Sequence, residues 1–373
     1  MCPHAAMNKI RLLVLSVGTR VGQNVLTVLA GRRHAFALIA TSSVANEPAL
    51  FDYDAVHLVP PTKAEPEAFE RALLDIVARE RIDLVIPCRD DDIVFLAGLR
   101  DRRPDLAPRF LCGSLEAARV IADKWESALF ATAHGLPFVP SLVNGAPHER
   151  TAFTSEHGFP LIVKPRRGYA SQDVYFISNE TQLECALAPG DRIVQRFLGD
   201  ARTISDYLAG LESRGVPLFH TFQGLKHSIQ ALIAPDGAVA HVFCTTNASD
   251  RRRFKRVEPD RDPEAPRIGQ RCGEVFAGLG WRGPLNIQCL RSREGTLLIH
   301  EFNGRFTGAT VERWLLGFDE VGAAIERFTG VHVENDRPRA AAALEAFESM
   351  VSRGADPRQV EALARDRVWR RAP

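Results

Sequence analysis

The chain has 373 residues, 45% of them hydrophobic and 25% charged, with a formal net charge of +1. That length predicts two or three domains, and the near-zero charge excludes a global field that would draw the chain onto nucleic acid or an anionic membrane. Seven irregularly spaced cysteines without a C-x-x-C pair argue against a disulfide framework, and no apolar run is long enough to span a bilayer, so a cytoplasmic protein is expected.

Residues 10–120 alternate strand and helix. The apolar run 10–17 predicts a buried strand, residues 18–22 a turn, and residues 23–30 a helix, with Val25, Leu26 and Leu29 at helical spacing. Residues 36–41 predict a second strand. Residues 67–79 predict an amphipathic helix carrying Phe69, Leu73, Ile76 and Val77 on one stripe, followed by a strand at 83–87 and a helix at 93–99. Such alternation implies a parallel sheet covered by helices. A dinucleotide fingerprint would need G-x-G-x-x-G after the first strand, where only Gly18 and Gly22 stand, so this region is read as a supporting domain. Asp90, Asp91 and Asp92 open the helix that follows the 83–87 strand. Capping and the helix dipole are their expected role, ahead of a substrate or metal role.

From about residue 114 the pattern changes. A helix carrying Asp123, Lys124 and Trp125 leads into a Gly/Pro-punctuated stretch at 134–147. Short β-rich segments follow at 160–164, 174–177, 192–197, 229–234, 238–245, 286–290 and 296–302, with hairpin signals at Asp236-Gly237 and Glu294-Gly295. This predicts an antiparallel α+β region. An Ala-rich helix from Ala340 and a last helix from Asp356-Pro357 are expected to serve packing.

The most informative segment is residues 283–308, GPLNIQCLRSREGTLLIHEFNGRFTG. Alternation along a strand points Glu301 and Asn303 the same way, and Gln288 on the partner strand can face them. One carboxylate and two amide oxygens beside Arg305 form a small hard-ligand set that leaves positions for phosphate oxygens, as Mg²⁺ on a nucleotide requires. The competing reading is a solvated polar sheet face. In a second segment, an apolar strand ends at Lys164 and runs into Pro165, Arg166, Arg167, Gly168, Tyr169, Ala170 and Ser171, a loop able to cover phosphate. Lys124 is a third, weaker element.

The order D-K, then V-K-P, then a hinge, then N-x-Q…E-x-N-x-R resembles the ATP-grasp superfamily over residues 10–330. It is most similar to the branch with carbamoyl-phosphate synthase large subunits, biotin carboxylase and amino-acid ligases. The resemblance implies an α/β plus α+β fold: an N-terminal Rossmann-like parallel-sheet domain at 1–118, then an ATP-grasp domain at 119–333, and a helical tail at 334–373. Within the ATP-grasp domain, 118–200 would include the small lid subdomain and 201–333 would bind metal. It implies ATP with two Mg²⁺ ions, for which Mn²⁺ could substitute. Lys124 and Lys164 match lysines that hold phosphates, and Ser171 matches the lid serine. Residues 193–198, with Gln195, Phe197 and Leu198, match the adenine hinge. Gln288, Glu301 and Asn303 match the metal ligands, and Arg305 the arginine over the transferred phosphoryl group.

The sequence departs from the family pattern in four places. Gly304 replaces the usual proline, and Gln195 a glutamate. Ala201 stands where an acidic residue is expected, with Asp206 the nearest substitute for ribose. The phosphate loop has one glycine and two arginines, Arg166 and Arg167, which either add anion contacts or stiffen the lid. The run Arg251, Arg252, Arg253, Lys255 and Arg256 reads either as a solvated patch or as arginines for the acyl-phosphate, with Lys226 a further candidate.

The reaction implied is ADP-forming ligation of a carboxylate to a nitrogen nucleophile through an acyl-phosphate, with Lys164, Arg305 and Arg253 catalytic. The partners expected are the two small-molecule substrates, without nucleic acid or membrane, and a homodimer is the default assembly. Bicarbonate activation uses the same residues and is the rival reading. A non-catalytic ATP-binding module is the other.

Overall fold

In the computed structural model, which describes residues 9–47, 49–168, 172–199, 207, 210, 225–249, 255–334, 345–348 and 352–372, three sheets carry the architecture. The first holds β1 (Ile10–Val14), β2 (Phe36–Ser42), β3 (Ala55–Leu58) and β4 (Leu84–Ile86), all parallel in the order β3-β2-β1-β4. These strands are almost wholly apolar because both faces are covered: Leu13 and Ile39 enter one core, Leu12, Val14 and Leu38 the other. Helices Arg20–Leu29, Pro66–Arg79 and Asp90–Arg102 lie where the periodicity predicts them. β3 was not among the predicted elements. It is four residues long and contains a buried His57, 3.0 Å from Glu80.

The second sheet is antiparallel. It contains β5 (Ser141–Val143), β6 (Leu161–Pro165), β7 (Tyr175–Ile177) and β8 (Arg192–Arg196) in the order β5-β8-β6-β7. Leu161, Val163, Ile177 and Val194 pack with Leu183 and Leu187 of helix Glu180–Leu187 on one face. Alternation leaves Ile162, Lys164, Ile193 and Gln195 on the other.

The third sheet has β9 (Lys226–Ile233), β10 (Val239–Ser249), β11 (Lys255–Pro259), β12 (Gly283–Arg291), β13 (Leu297–Asn303) and β14 (Ala346–Phe347) in the order β13-β12-β9-β10-β11-β14. The turn between β9 and β10 is the Asp236-Gly237 signal, with Gly237 at φ +93°. Ile229, Ala231, Leu285, Ile287, Cys289, Leu297, Ile299 and Phe302 form the buried face, covered by helix Glu264–Gly278. The opposite face is polar.

The helix expected from Ala340 starts outside the described residues, at 340–344. Further on, Ala346–Phe347 pair with β11 as a strand, and Ala346 packs with Val257 and Leu316. The tail is not purely helical. After helix Pro357–Asp366, β15 (Val368–Arg370) pairs antiparallel with β3 and extends the first sheet, closing its edge.

Candidate active site

The polar face of the third sheet owes its geometry to one irregularity in β13. Gln288 pairs with Glu301, but Cys289 pairs with Ile299, so His300 is an extra residue, a β-bulge. Leu297, Ile299 and Phe302 all enter the core despite their two-then-three spacing. His300, Glu301 and Asn303 consequently share the opposite face. Gln288 and Asn286 on β12 face the same way, and so do Lys226, Ser228 and Gln230 on β9, because their alternates are core residues.

Glu301 therefore lies among cations. Lys124 Nζ is 3.8 Å from Glu301 Oε1 and donates to the Gly168 carbonyl at 3.1 Å. Lys164, at the end of β6 and 7% exposed, donates to the His300 carbonyl at 3.3 Å. Burial pushes the Lys164 ammonium down to about 8, with Lys124 and Lys226 adding to the fall and Glu301 opposing it. Lys226 is lowered by burial as well, and again Glu301 opposes. Burial, with Lys164, Lys226 and Lys124, holds His300 well below the ordinary imidazole range, so it is neutral. Three lysines around one carboxylate leave an excess of positive charge that a polyphosphate would balance.

Arg305 follows β13 and reaches across the molecule. Its Nε donates to Asp90 Oδ1 at 2.8 Å, and its terminal nitrogen to Asp90 Oδ2 at 3.3 Å and Asn303 Oδ1 at 3.1 Å. Burial works against the Arg305 charge, but Asp90 outweighs it and holds the pKa above its ordinary value. Of the acidic triplet, only Asp92 caps in the expected way, accepting from Arg89 N at 3.1 Å. Asp90, read as part of that cap, is instead the carboxylate that fixes Arg305.

Arg166 and Arg167 are engaged in ion pairs. Arg166 lies 2.8 Å from Asp123 and 3.4 Å from Glu126, and Arg167 lies 3.6 Å from Asp123. Asp123 also caps helix Lys124–Ala133, accepting from Trp125 N at 2.9 Å, which anchors Lys124 at the helix start. In the hinge stretch, the ladders with β5 and β6 already take up residues 193–196, leaving Phe197, Leu198 and Gly199 beyond them. Gln195 is buried and donates to Ser141 Oγ at 3.1 Å. The Phe197 ring stands edge-on to Phe176, with centroids 5.3 Å apart. Ser171, Asp206 and Arg253 lie outside the described residues, as do Ala201, Arg251 and Arg252.

The donor set suits a nucleotide-bound ion. Among the described residues no three His, Cys, Asp or Glu side chains cluster to hold a metal. One carboxylate and two amides are a weak cage alone and a sufficient one for an ion that brings phosphate oxygens with it. Sequence reading favoured a capping role for Asp90, quoted Asn286 only within the N-x-Q motif, and assigned no role to His300, Ser228 or Gln230. The two-then-three spacing of Leu297, Ile299 and Phe302 is the signal that would have placed His300 on the site face.

A family model described as "PylC-like, N-terminal domain" matches residues 12–106. Human mitochondrial pyruvate carboxylase is 25% identical over 211 residues, 54% of this chain and 17% of that protein, so the match spans about a sixth of the relative. Among solved structures, the biotin carboxylase–β,γ-ATP complex from Campylobacter jejuni superposes with a TM-score of 0.61 at 16% identity, covering 89% of this chain and 73% of that one. The L-amino acid ligase from Bacillus licheniformis gives 0.60 at 14% identity, with 86% and 74% covered. The chain has the ATP-grasp fold, with a parallel-sheet domain in front of two antiparallel ones. Among the described residues no helix is long and apolar enough to cross a membrane.

Proposed function

We propose that the protein is an ADP-forming ligase that activates a carboxylate with Mg-ATP and joins it to a nitrogen nucleophile. The observation that carries this reading is the convergence of Lys124, Lys164, Glu301 and Arg305 on one sheet face, from elements far apart in the chain. Gln288, Glu301 and Asn303 would hold Mg²⁺. Bound there, the metal supplies Lewis-acid stabilisation of the phosphoryl group in flight. Lys124 and Lys164 clamp phosphate oxygens, and Phe197 and Leu198 border the base. The division at residues 118 and 333 belongs to the same reading.

The mechanism follows from what these side chains can do. A carboxylate is a poor electrophile, and phosphorylation turns one of its oxygens into a leaving group. The carboxylate oxygen attacks the γ-phosphorus and ADP departs, giving the acyl-phosphate. The nitrogen nucleophile then attacks the acyl carbon, loses a proton and expels phosphate. Arg305, held by Asp90, is positioned to stabilise the oxyanion of that second step. Keeping water away from this face would protect the acyl-phosphate from hydrolysis.

Bicarbonate serves the same geometry as the carboxylate, and the 211-residue match to a pyruvate carboxylase favours keeping it as a second reading. One experiment decides between them: ADP release is screened over carboxylate and amine pairs, bicarbonate included, with mass spectrometry of the product. Ligation predicts a new C–N bond in an amide. Release with bicarbonate alone would favour the second reading, and no release with any pair would contradict both.

A further inference from the structure

The register of β9, β12 and β13 arranges the polar face in two rows. Ser228, Gln288 and Glu301 stand side by side in one, and Gln230, Asn286 and Asn303 in the next. The second row is 1%, 0% and 4% exposed, respectively, yet four of its polar atoms have no partner among the described residues: Gln230 Nε2 and Oε1, Asn286 Oδ1 and Asn303 Nδ2. The other amide atoms each have a partner. Asn286 Nδ2 donates to Ser228 Oγ at 3.0 Å and to the Ile229 carbonyl at 3.2 Å, and Asn303 Oδ1 accepts from Arg305 at 3.1 Å. A buried polar atom left without a partner destabilises the fold, and functional sites are among the places where folds retain such groups.

The row has a direction. It starts beside Arg305 and ends at Gln230, two strand spacings or roughly 10 Å away. On the side away from Glu301 it is bounded by the Leu232–Pro284 pair. Its free capacity is donors and acceptors without formal charge. A charged group buried at its Gln230 end, two strand spacings from Arg305, would have no counter-ion beside it, whereas a hydroxyl or an amide would be matched.

Resting on the ligase reading above, we infer that Gln230 and Asn286 select the carboxylate substrate by hydrogen-bonding an uncharged polar group at its non-reacting end.

Gln230→Leu tests this, because it keeps the bulk and removes both amide atoms. The assay is hydroxamate formation from ATP, hydroxylamine and matched free acids, glutamine against glutamate and asparagine against aspartate, so that no natural amine is needed. The wild-type protein is expected to favour the uncharged member of each pair. The variant should lose that preference through a KM raised roughly tenfold, keep its ATP affinity within about twofold, and melt roughly 1–3 °C higher, since orphaned polar atoms are gone. A variant that melts several degrees lower with unchanged KM, or a wild type that favours the charged acids, overturns the assignment. Absence of any ADP formation by the wild-type protein is a separate result: it sinks the ligase reading, and the assignment with it.

Discussion

Asp90 and Arg305, 215 residues apart in the chain, meet in a two-point ion pair that ties the first turn of a parallel-sheet helix to the end of β13. The arginine best placed for charge stabilisation is thus aimed by a domain that carries none of the candidate phosphate ligands. Removing the carboxylate with Asp90→Asn should leave Arg305 charged but loosely aimed. Such misplacement lowers kcat by roughly 10–100-fold, while the Kd for ATP should stay near the wild-type value. Single-turnover ADP formation alongside equilibrium ATP binding separates the two quantities.

If Lys164 holds a phosphate as proposed, nucleotide binding should be sensitive to pH. Its ammonium is held down to about 8 by burial, below its ordinary value. A bound triphosphate favours the charged form. Above pH 8 the free protein has lost that proton, and binding must recapture it. ATP affinity should therefore be flat below pH 7.5 and weaken as pH rises through 8, by up to about tenfold per unit. Titration calorimetry from pH 7 to 9.5 reads this directly. In Lys164→Ala the affinity is lower at every pH and the slope above pH 8 is reduced.

Asp92 stores a different pH dependence. Burial raises its carboxyl to about 6, against hydrogen bonds from Ser16, 3.1 Å away, and from the Arg89 backbone. The folded protein thus holds a proton that the unfolded chain releases near pH 4. Stability from this group is full below pH 4 and is lost as pH rises through 6. At pH 7.5 Asp92→Asn should stabilise the fold by about 1–3 kcal/mol, and the gain should vanish by pH 4. Chemical denaturation at the two pH values checks it.

Much of this architecture was legible in the sequence, and the failures have physical causes. Alternating apolar runs and turn residues located the strands and helices that frame the site, because burial on both faces or on one leaves different periods. β3 escaped because four residues with a histidine carry no period, and the tail strand because its partner lies more than 310 residues upstream. The motif E-F-N-G-R placed Glu301, Asn303 and Arg305 together, since alternation is local. Asp90 could not be found that way, because its partner is fixed only by how the domains pack. His300 was missed because strict alternation assigns it to the core, and only the bulge returns it to the site.

Packing explains why residue 304 is a glycine. A Cβ there would lie 2.6 Å from the buried Trp281 ring. Gly304→Ala should cost about 1–3 kcal/mol by overpacking, measurable as a lowered unfolding midpoint. The Trp281→Phe background, with a smaller ring, should restore part of it.

The central claim is that Gln288, Glu301 and Asn303 hold metal against a triphosphate on the polar face of the third sheet. Electron paramagnetic resonance of Mn²⁺ titrated into the protein with a non-hydrolysable ATP analogue tests it without any substrate. Two nucleotide-dependent ions per chain are predicted for the wild type, and loss of at least one in Glu301→Gln. Equal Mn²⁺ occupancy and affinity in the variant would contradict the account.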